Sequence, residues 1–164
     1  MENIDNTSTS ELVKKLAQKL ITSGKTIATA ESCTGGNIAH NITLLAGSSQ
    51  YFLGGIVSYA NKVKMNVLGV SKEDLDKYGA VSQAVVENMA TGACKTIGSD
   101  YSVATSGIAG PGGGSEEKPV GTVWMAVSDG EKVVSKKWNF DVSREEIIEK
   151  ATKTAIFMLL EIVC

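Results

Sequence analysis

Six consecutive residues, Glu31, Ser32, Cys33, Thr34, Gly35 and Gly36, combine a carboxylate, two hydroxyls, a thiol and two glycines. They follow a short apolar stretch, Thr26–Ala30, and precede a segment of helical character. Such a turn suits nucleophilic catalysis. Ser32 or Cys33 can supply the attacking atom, and the N–H groups at a helix start stabilise an oxyanion or a phosphate. The helix dipole would also lower a thiol pKa, which keeps Cys33 in contention. The plain alternative is a connection in which Ser32 or Thr34 caps the helix and Cys33 is a small buried filler. Neighbouring residues at a strand end point in opposite directions, so only one of Ser32 and Cys33 is expected to face a site.

A serine nucleophile needs a base. His40 is the single histidine, but it falls more than one helical turn beyond the start and reads as a surface or packing residue. A lysine can serve if burial or positive neighbours lower its pKa from about 10.4. Lys62 and Lys64, in SYANKVK (58–64), are two residues apart and face different ways in a helical turn. One of them at most reaches a common site, and the spacing does not choose.

The segment GIAGPGGGSEEKPVG, 107–121, matches neither a P-loop nor a dinucleotide fingerprint. Its glycines let backbone approach a ligand closely, or make it an ordinary exposed loop. Arg144 stands in the first turn of the last helix, where the dipole disfavours a cation, and this invites an anionic partner.

Ser8-x-x-Glu11 is a capping box, followed by an apolar helical stripe that ends at Gly24. Strands are expected at 26–30, 53–59, 101–105, 121–128 and 132–140, the last two joined through Asp129-Gly130 as a hairpin. Helices are expected at 37–45, 61–68, 71–77, from Ser82 to a stop at Gly98, and from the capping box Ser143-x-x-Glu146 onward. This order predicts one three-layer α/β/α domain over residues 1–164, with 1–8 as a loosely ordered lead-in. Its mixed sheet has a parallel core and an antiparallel hairpin toward one edge. Ligands of such sheets gather beyond the carboxyl ends of the strands. The 31–36 turn, the Tyr59 region and the loop after Ser106 all fall there.

With 164 residues, 43% hydrophobic and 21% charged, the composition is that of an ordinary globular domain. A net charge of -2 argues against a nucleic-acid partner, and no apolar run is long enough to span a bilayer. Three widely spaced cysteines fit neither a disulfide framework nor a zinc site and point to a reducing cytoplasm. With one histidine and no carboxylate cluster at ligand spacing, neither metal nor cofactor is expected.

AESCTGG (30–36), AGSS-x-x-F-x-GG (46–55), Tyr59-x-Asn61-x-x-Lys64, GAVS (79–82) and SGIAGP-x-GGSEEKPVGTVW (106–124) closely resemble the CinA C-terminal domain family. The motifs run in the family's order over nearly the whole chain. The resemblance implies hydrolysis of nicotinamide mononucleotide to nicotinate mononucleotide and ammonia. It implies Ser32 as nucleophile, Lys64 rather than Lys62 as base, and Tyr59 in the site. Amides around Thr34, Gly35 and Gly36 would form the oxyanion hole. The 106–110 segment, with Ser106, Gly107, Ala109 and Gly110, would hold substrate together with Asn61, and Arg144 would meet the phosphate or a neighbouring polar group. A homo-oligomer, a dimer in its simplest form, is also implied. The chain departs from the family at Ala60, Lys62 and Val63, where Ser, Glu and Ala are common, and at Ile148, where many members carry a second arginine. These departures motivate two alternatives to the enzyme: a nucleotide-binding module that has lost hydrolysis, and, more remotely, a redox protein using Cys33.

Overall fold

The structure is a computed structural model and describes residues 4–164. Eleven elements follow one another. They are α1 (Thr9–Ser23), β1 (Ile27–Glu31), α2 (Asn37–Thr43), β2 (Phe52–Val57), α3 (Asn61–Leu68), α4 (Lys72–Tyr78), α5 (Gln83–Ile97), β3 (Tyr101–Gly107), β4 (Thr122–Ser128), β5 (Val133–Asn139) and α6 (Arg144–Ile162). The strands form one sheet in the order β2-β1-β3-β4-β5. β1 is parallel to β2 and β3, whereas β4 is antiparallel to β3 and β5. Of the expected lead-in, residues 1–3 lie outside the described residues. Ile4–Asn6 form a short 3-10 turn, and Ser8 already belongs to the cap of α1.

Both long outer helices start on reciprocal caps. Ser8 accepts from the Glu11 amide and Glu11 accepts from the Ser8 amide, and Ser143 with Glu146 repeats the arrangement at α6. Helices α1, α2 and α6 cover one face of the sheet over Leu12, Leu16, Leu20, Ile38, Ile42, Ile147, Ile156 and Leu159. Helices α3, α4 and α5 cover the other over Leu68, Leu75, Val85, Val86 and Met89. On that second face Ala30, Ala104 and Ala126 lie side by side across β1, β3 and β4, all fully buried. This row of methyl groups lets α5 approach the sheet closely and carry α3 with it.

The close approach continues between helices. Gly92 of α5 sits where a Cβ would meet the Leu68 carbonyl oxygen at 2.0 Å and its carbon at 2.9 Å. A helix-interior glycine costs about 1 kcal/mol relative to alanine, and it is kept here because backbone occupies the space.

Three element ends differ from the sequence reading by two residues, one of them the end of β3, which runs on to Gly107 past the expected position 105. The second strand ends at Val57 instead of Tyr59. Ser58 still donates its amide to Glu31 O (2.8 Å), and the chain then turns so that the Ser58 and Tyr59 carbonyls both face Lys64 Nζ. Helix α2 ends at Thr43, two residues early, and Ser48–Gln50 form a 3-10 turn in the expected loop.

Topology collects the functional segments. The parallel strands β1, β2 and β3 all end at one edge of the sheet, which delivers Ser32, Ser58–Tyr59 and Ser106–Gly107 to the same place. β5 also runs toward that edge, so Arg144 follows at the start of α6.

Gly92→Ala is expected to destabilise the fold by about 1–3 kcal/mol despite the better helix propensity of alanine, because α3 must shift to admit the methyl group. Denaturant midpoints of the two proteins measure this. An unchanged or raised midpoint would contradict the packing described.

Candidate active site

A pocket of about 210 Å³ opens at the shared strand ends. Ser32 and Cys33 line its floor side, Tyr59, Asn61 and Lys64 come from the β2–α3 turn, and Ser106, Gly107 and Ala109 follow β3. Ala80, Val81 and Arg144 complete it.

Lys64 is the unusual member. It is 1% exposed, and among the described residues no carboxylate pairs with it. Its Nζ lies 2.6 Å from Ser58 O, 3.4 Å from Tyr59 O and 3.0 Å from Ser32 Oγ. Burial lowers its pKa below the ordinary 10.5. A neutral amine has two N–H donors and one lone pair, and the two carbonyls can only accept. With both protons on the carbonyls, the lone pair is left for the Ser32 hydroxyl. Lys62, two residues earlier, is exposed and does not line the pocket.

Both Ser32 and Cys33 line the pocket, contrary to the alternation expected at a strand end. The chain leaves β1 at Glu31, so strand geometry no longer applies to them. They differ chemically instead: burial pushes the Cys33 thiol up to about 12, so it stays protonated.

The helix start is organised otherwise than expected. Helix α2 has Gly36 at its N-cap position and no side-chain cap there, so neither Ser32 nor Thr34 plays that part. The buried carboxylate of Glu31 accepts from the amides of Ile38 (2.9 Å) and Ala39 (3.0 Å) and from the Thr34 hydroxyl (2.7 Å). Thr34 has one proton, which goes to the carboxylate, so the Thr105 hydroxyl 2.8 Å away donates to Thr34. The Gly35 amide, expected in the oxyanion hole, donates to Ser32 O at 3.0 Å. Among the described residues, the amides of Cys33, Thr34 and Gly36 have no hydrogen-bond partner. Thr34, Gly35 and Gly36 line a separate concavity of about 440 Å³ with His40, Glu145 and Ile148.

Glu31 was missed as a functional residue by the sequence reading. Its signal was present: a carboxylate at a strand end, seven and eight residues ahead of amides that a short helix leaves unpaired.

Arg144 donates to Gly110 O (2.6 Å) and to the Tyr59 hydroxyl (3.4 Å), which ties the glycine loop to the β2–α3 turn. Ser106 donates its hydroxyl to Ala80 O at 2.8 Å. Gly110 therefore acts through its carbonyl and stands behind the pocket wall. His40 is exposed and away from Ser32, as read from its position. Ile148 lines the neighbouring concavity, Lys62 faces solvent, and Ala60 caps α3 through backbone, so these departures leave the Ser32–Lys64 contact untouched. Among the described residues no group of three or more His, Cys, Asp or Glu side chains could hold a metal ion, and no helix is long and apolar enough to cross a membrane.

Known proteins resemble this chain in sequence and in fold. Residues 9–163 match the family model described as CinA C-terminal domain. The nicotinamide-nucleotide amidohydrolase PncC of Escherichia coli K12 is 46% identical over 147 residues, covering 89% of both chains. A CinA-like protein of Cytophaga hutchinsonii is 50% identical over 145 residues, 88% of this chain but 34% of the relative. The chain thus spans about a third of such CinA-like relatives. The crystal structure of competence damage-inducible protein A (ComA) from Klebsiella pneumoniae superposes with a TM-score of 0.92 at 37% identity, covering 95% of this chain and 97% of that one. With a family match over nearly its full length and a relative of equal span, the chain belongs to the CinA C-terminal domain family.

Proposed function

We propose that this protein is an amidohydrolase that converts nicotinamide mononucleotide to nicotinate mononucleotide and ammonia, with Ser32 as nucleophile and Lys64 as its base. The observation that carries the reading is the 3.0 Å contact between a buried amine and the Ser32 hydroxyl, with two carbonyls orienting the amine. The equal-length E. coli relative, named as a nicotinamide-nucleotide amidohydrolase, supplies the substrate class.

In the first step Lys64 takes the Ser32 proton and Oγ attacks the carboxamide carbon. The oxyanion accepts from the uncommitted Cys33 and Thr34 amides, next to the nucleophile. The C–N bond breaks as the Lys64 ammonium returns its proton to nitrogen, and ammonia leaves. Water, deprotonated by Lys64, then attacks the ester. Ser32 regains its proton as nicotinate mononucleotide forms. Tyr59 and Asn61 line the mouth of the pocket and orient the ring, with Tyr59 held by Arg144.

Ser32→Ala and Lys64→Ala are each expected to lower kcat by about 10³-fold or more in an ammonia-release assay, with the double variant little worse, because the two act as a unit. Cys33→Ala retains most activity. If instead Cys33→Ala abolishes turnover and Ser32→Ala retains it, the nucleophile is the thiol.

The lowered Lys64 pKa sets the direction of the pH dependence. The base must be neutral, so kcat/KM rises with pH along an acid limb whose midpoint lies below 10.5. Between that midpoint and the unfolded value the unfolded chain binds more protons than the folded one. Stability therefore rises with pH across the window and is lost as pH falls through the folded value. Lys64→Met removes this contribution to the slope in thermal melts, whereas an unaltered slope would place the titration elsewhere. No step uses a metal, and turnover unchanged by exhaustive chelation is the expected result.

A further inference from the structure

Asn61 stands at the first position of α3 and lines the reacting pocket, yet the helix makes no use of its side chain. Asparagine favours the cap position, where its oxygen accepts from backbone amides. Here that position belongs to Ala60, and no side-chain cap bond forms. Asn61 is exposed, and among the described residues its side-chain amide has no hydrogen-bond partner. Its place relative to Lys64 follows from the helix. Residues three apart share a helix face, with Cβ atoms about 5–6 Å apart. Long helical side chains also lean toward the N-terminus. Lys64 does so: its Nζ reaches Ser58 O at 2.6 Å and Tyr59 O at 3.4 Å, carbonyls that precede α3. The amine therefore lies beside the turn that carries Asn61.

The chemistry makes a demand at that place. When the tetrahedral intermediate collapses, the C–N bond breaks and its electron pair stays on nitrogen. That nitrogen takes a proton from the Lys64 ammonium while the oxyanion re-forms the carbonyl. Its lone pair must therefore point at Nζ, so its two N–H groups point elsewhere and need an acceptor. The Ser58 and Tyr59 carbonyls already receive the Lys64 protons. The Cys33 and Thr34 amides are donors and suit the oxyanion. The Asn61 side-chain oxygen is an acceptor beside Nζ with no other partner. Ser106 Oγ, a rival acceptor, stands across the pocket on β3, and its proton goes to Ala80 O.

We infer that Asn61 reads the leaving group: its Oδ1 accepts an N–H of the scissile carboxamide and turns the nitrogen lone pair toward Lys64. The inference rests on the amidohydrolase reading above. It makes Asn61 a specificity residue for amides over esters, because an ester leaving oxygen has no N–H to present and needs only the Lys64 proton. Asn61 itself neither gains nor loses a proton.

Two substrates that form the same acyl-enzyme test this: nicotinamide mononucleotide, followed by ammonia, and the methyl ester of nicotinate mononucleotide, followed by methanol. The ratio of their kcat/KM values compares the steps up to loss of the leaving group. In Asn61→Ala the amide-to-ester ratio is expected to fall about tenfold, as an N–H left without its acceptor requires. Asn61→Asp keeps the acceptor and should hold the ratio at or above the wild-type value. Its carboxylate also keeps Lys64 more strongly protonated, which slows both substrates alike. Lys62→Ala, on a side chain that faces solvent, should leave the ratio unchanged. Calorimetric affinities for the same two ligands on a Ser32→Ala background give a second ratio that needs no turnover, and Asn61→Ala should lower it too. Ratios unchanged by Asn61→Ala in both assays, or an amide-specific loss in Ser106→Ala in place of Asn61→Ala, would overturn the assignment while ammonia release keeps the amidohydrolase reading. A wild-type protein that releases methanol from the ester but no ammonia from the mononucleotide would sink that reading and this inference together.

Discussion

An amine buried without a counter-ion is the constraint from which the rest of the site follows. Lys64 is held among two carbonyl oxygens and one hydroxyl, and among the described residues no carboxylate offsets its charge. Such surroundings disfavour the ammonium and lower the pKa below the ordinary 10.5. The two carbonyls then orient it, because acceptors can only receive its protons. A carboxylate in the same place would have raised the pKa and turned the lone pair into a third N–H donor. The arrangement therefore suits the base proposed for Lys64, whatever its effect on stability.

The same economy of partners organises the turn beside it. Glu31 collects the amides of Ile38 and Ala39 and, through Thr34, the Thr105 hydroxyl. This ties β1, α2 and β3 together immediately behind Ser32. It also removes the helix start from service as an anion site and leaves the Cys33 and Thr34 amides uncommitted. Arg144 performs a comparable task in front, joining the glycine loop to Tyr59.

Most of the fold was legible because its signals are local. Two capping boxes, glycines at helix ends and the Asp129-Gly130 turn mark boundaries that the structure reproduces within one or two residues. Ser58 and Tyr59 were assigned to a strand because their composition suits one. Their carbonyls instead leave the ladder to meet Lys64, a demand made by a residue distant in space and invisible in a window of sequence. The choice between Lys62 and Lys64 has the same origin. Spacing shows that they face apart, whereas only the packing of α3 against α5 shows which one faces inward. Glu31 and the pairing of Gly35 with Ser32 O were hidden because the assignment of amides depends on the turn's backbone path.

The central claim is that Lys64 is biased toward its neutral form with its lone pair toward Ser32, and the most direct measurement is its own titration. Carbon-13 labelling at lysine Cε, with the Lys64 resonance assigned by its absence from Lys64→Arg, allows the pKa to be read by NMR in the intact protein. The account predicts a midpoint clearly below the ordinary lysine value of 10.5, moving back up toward it when Ser32→Ala removes the hydroxyl that donates to the lone pair. A midpoint at or above 10.5, unaffected by Ser32→Ala, would contradict it.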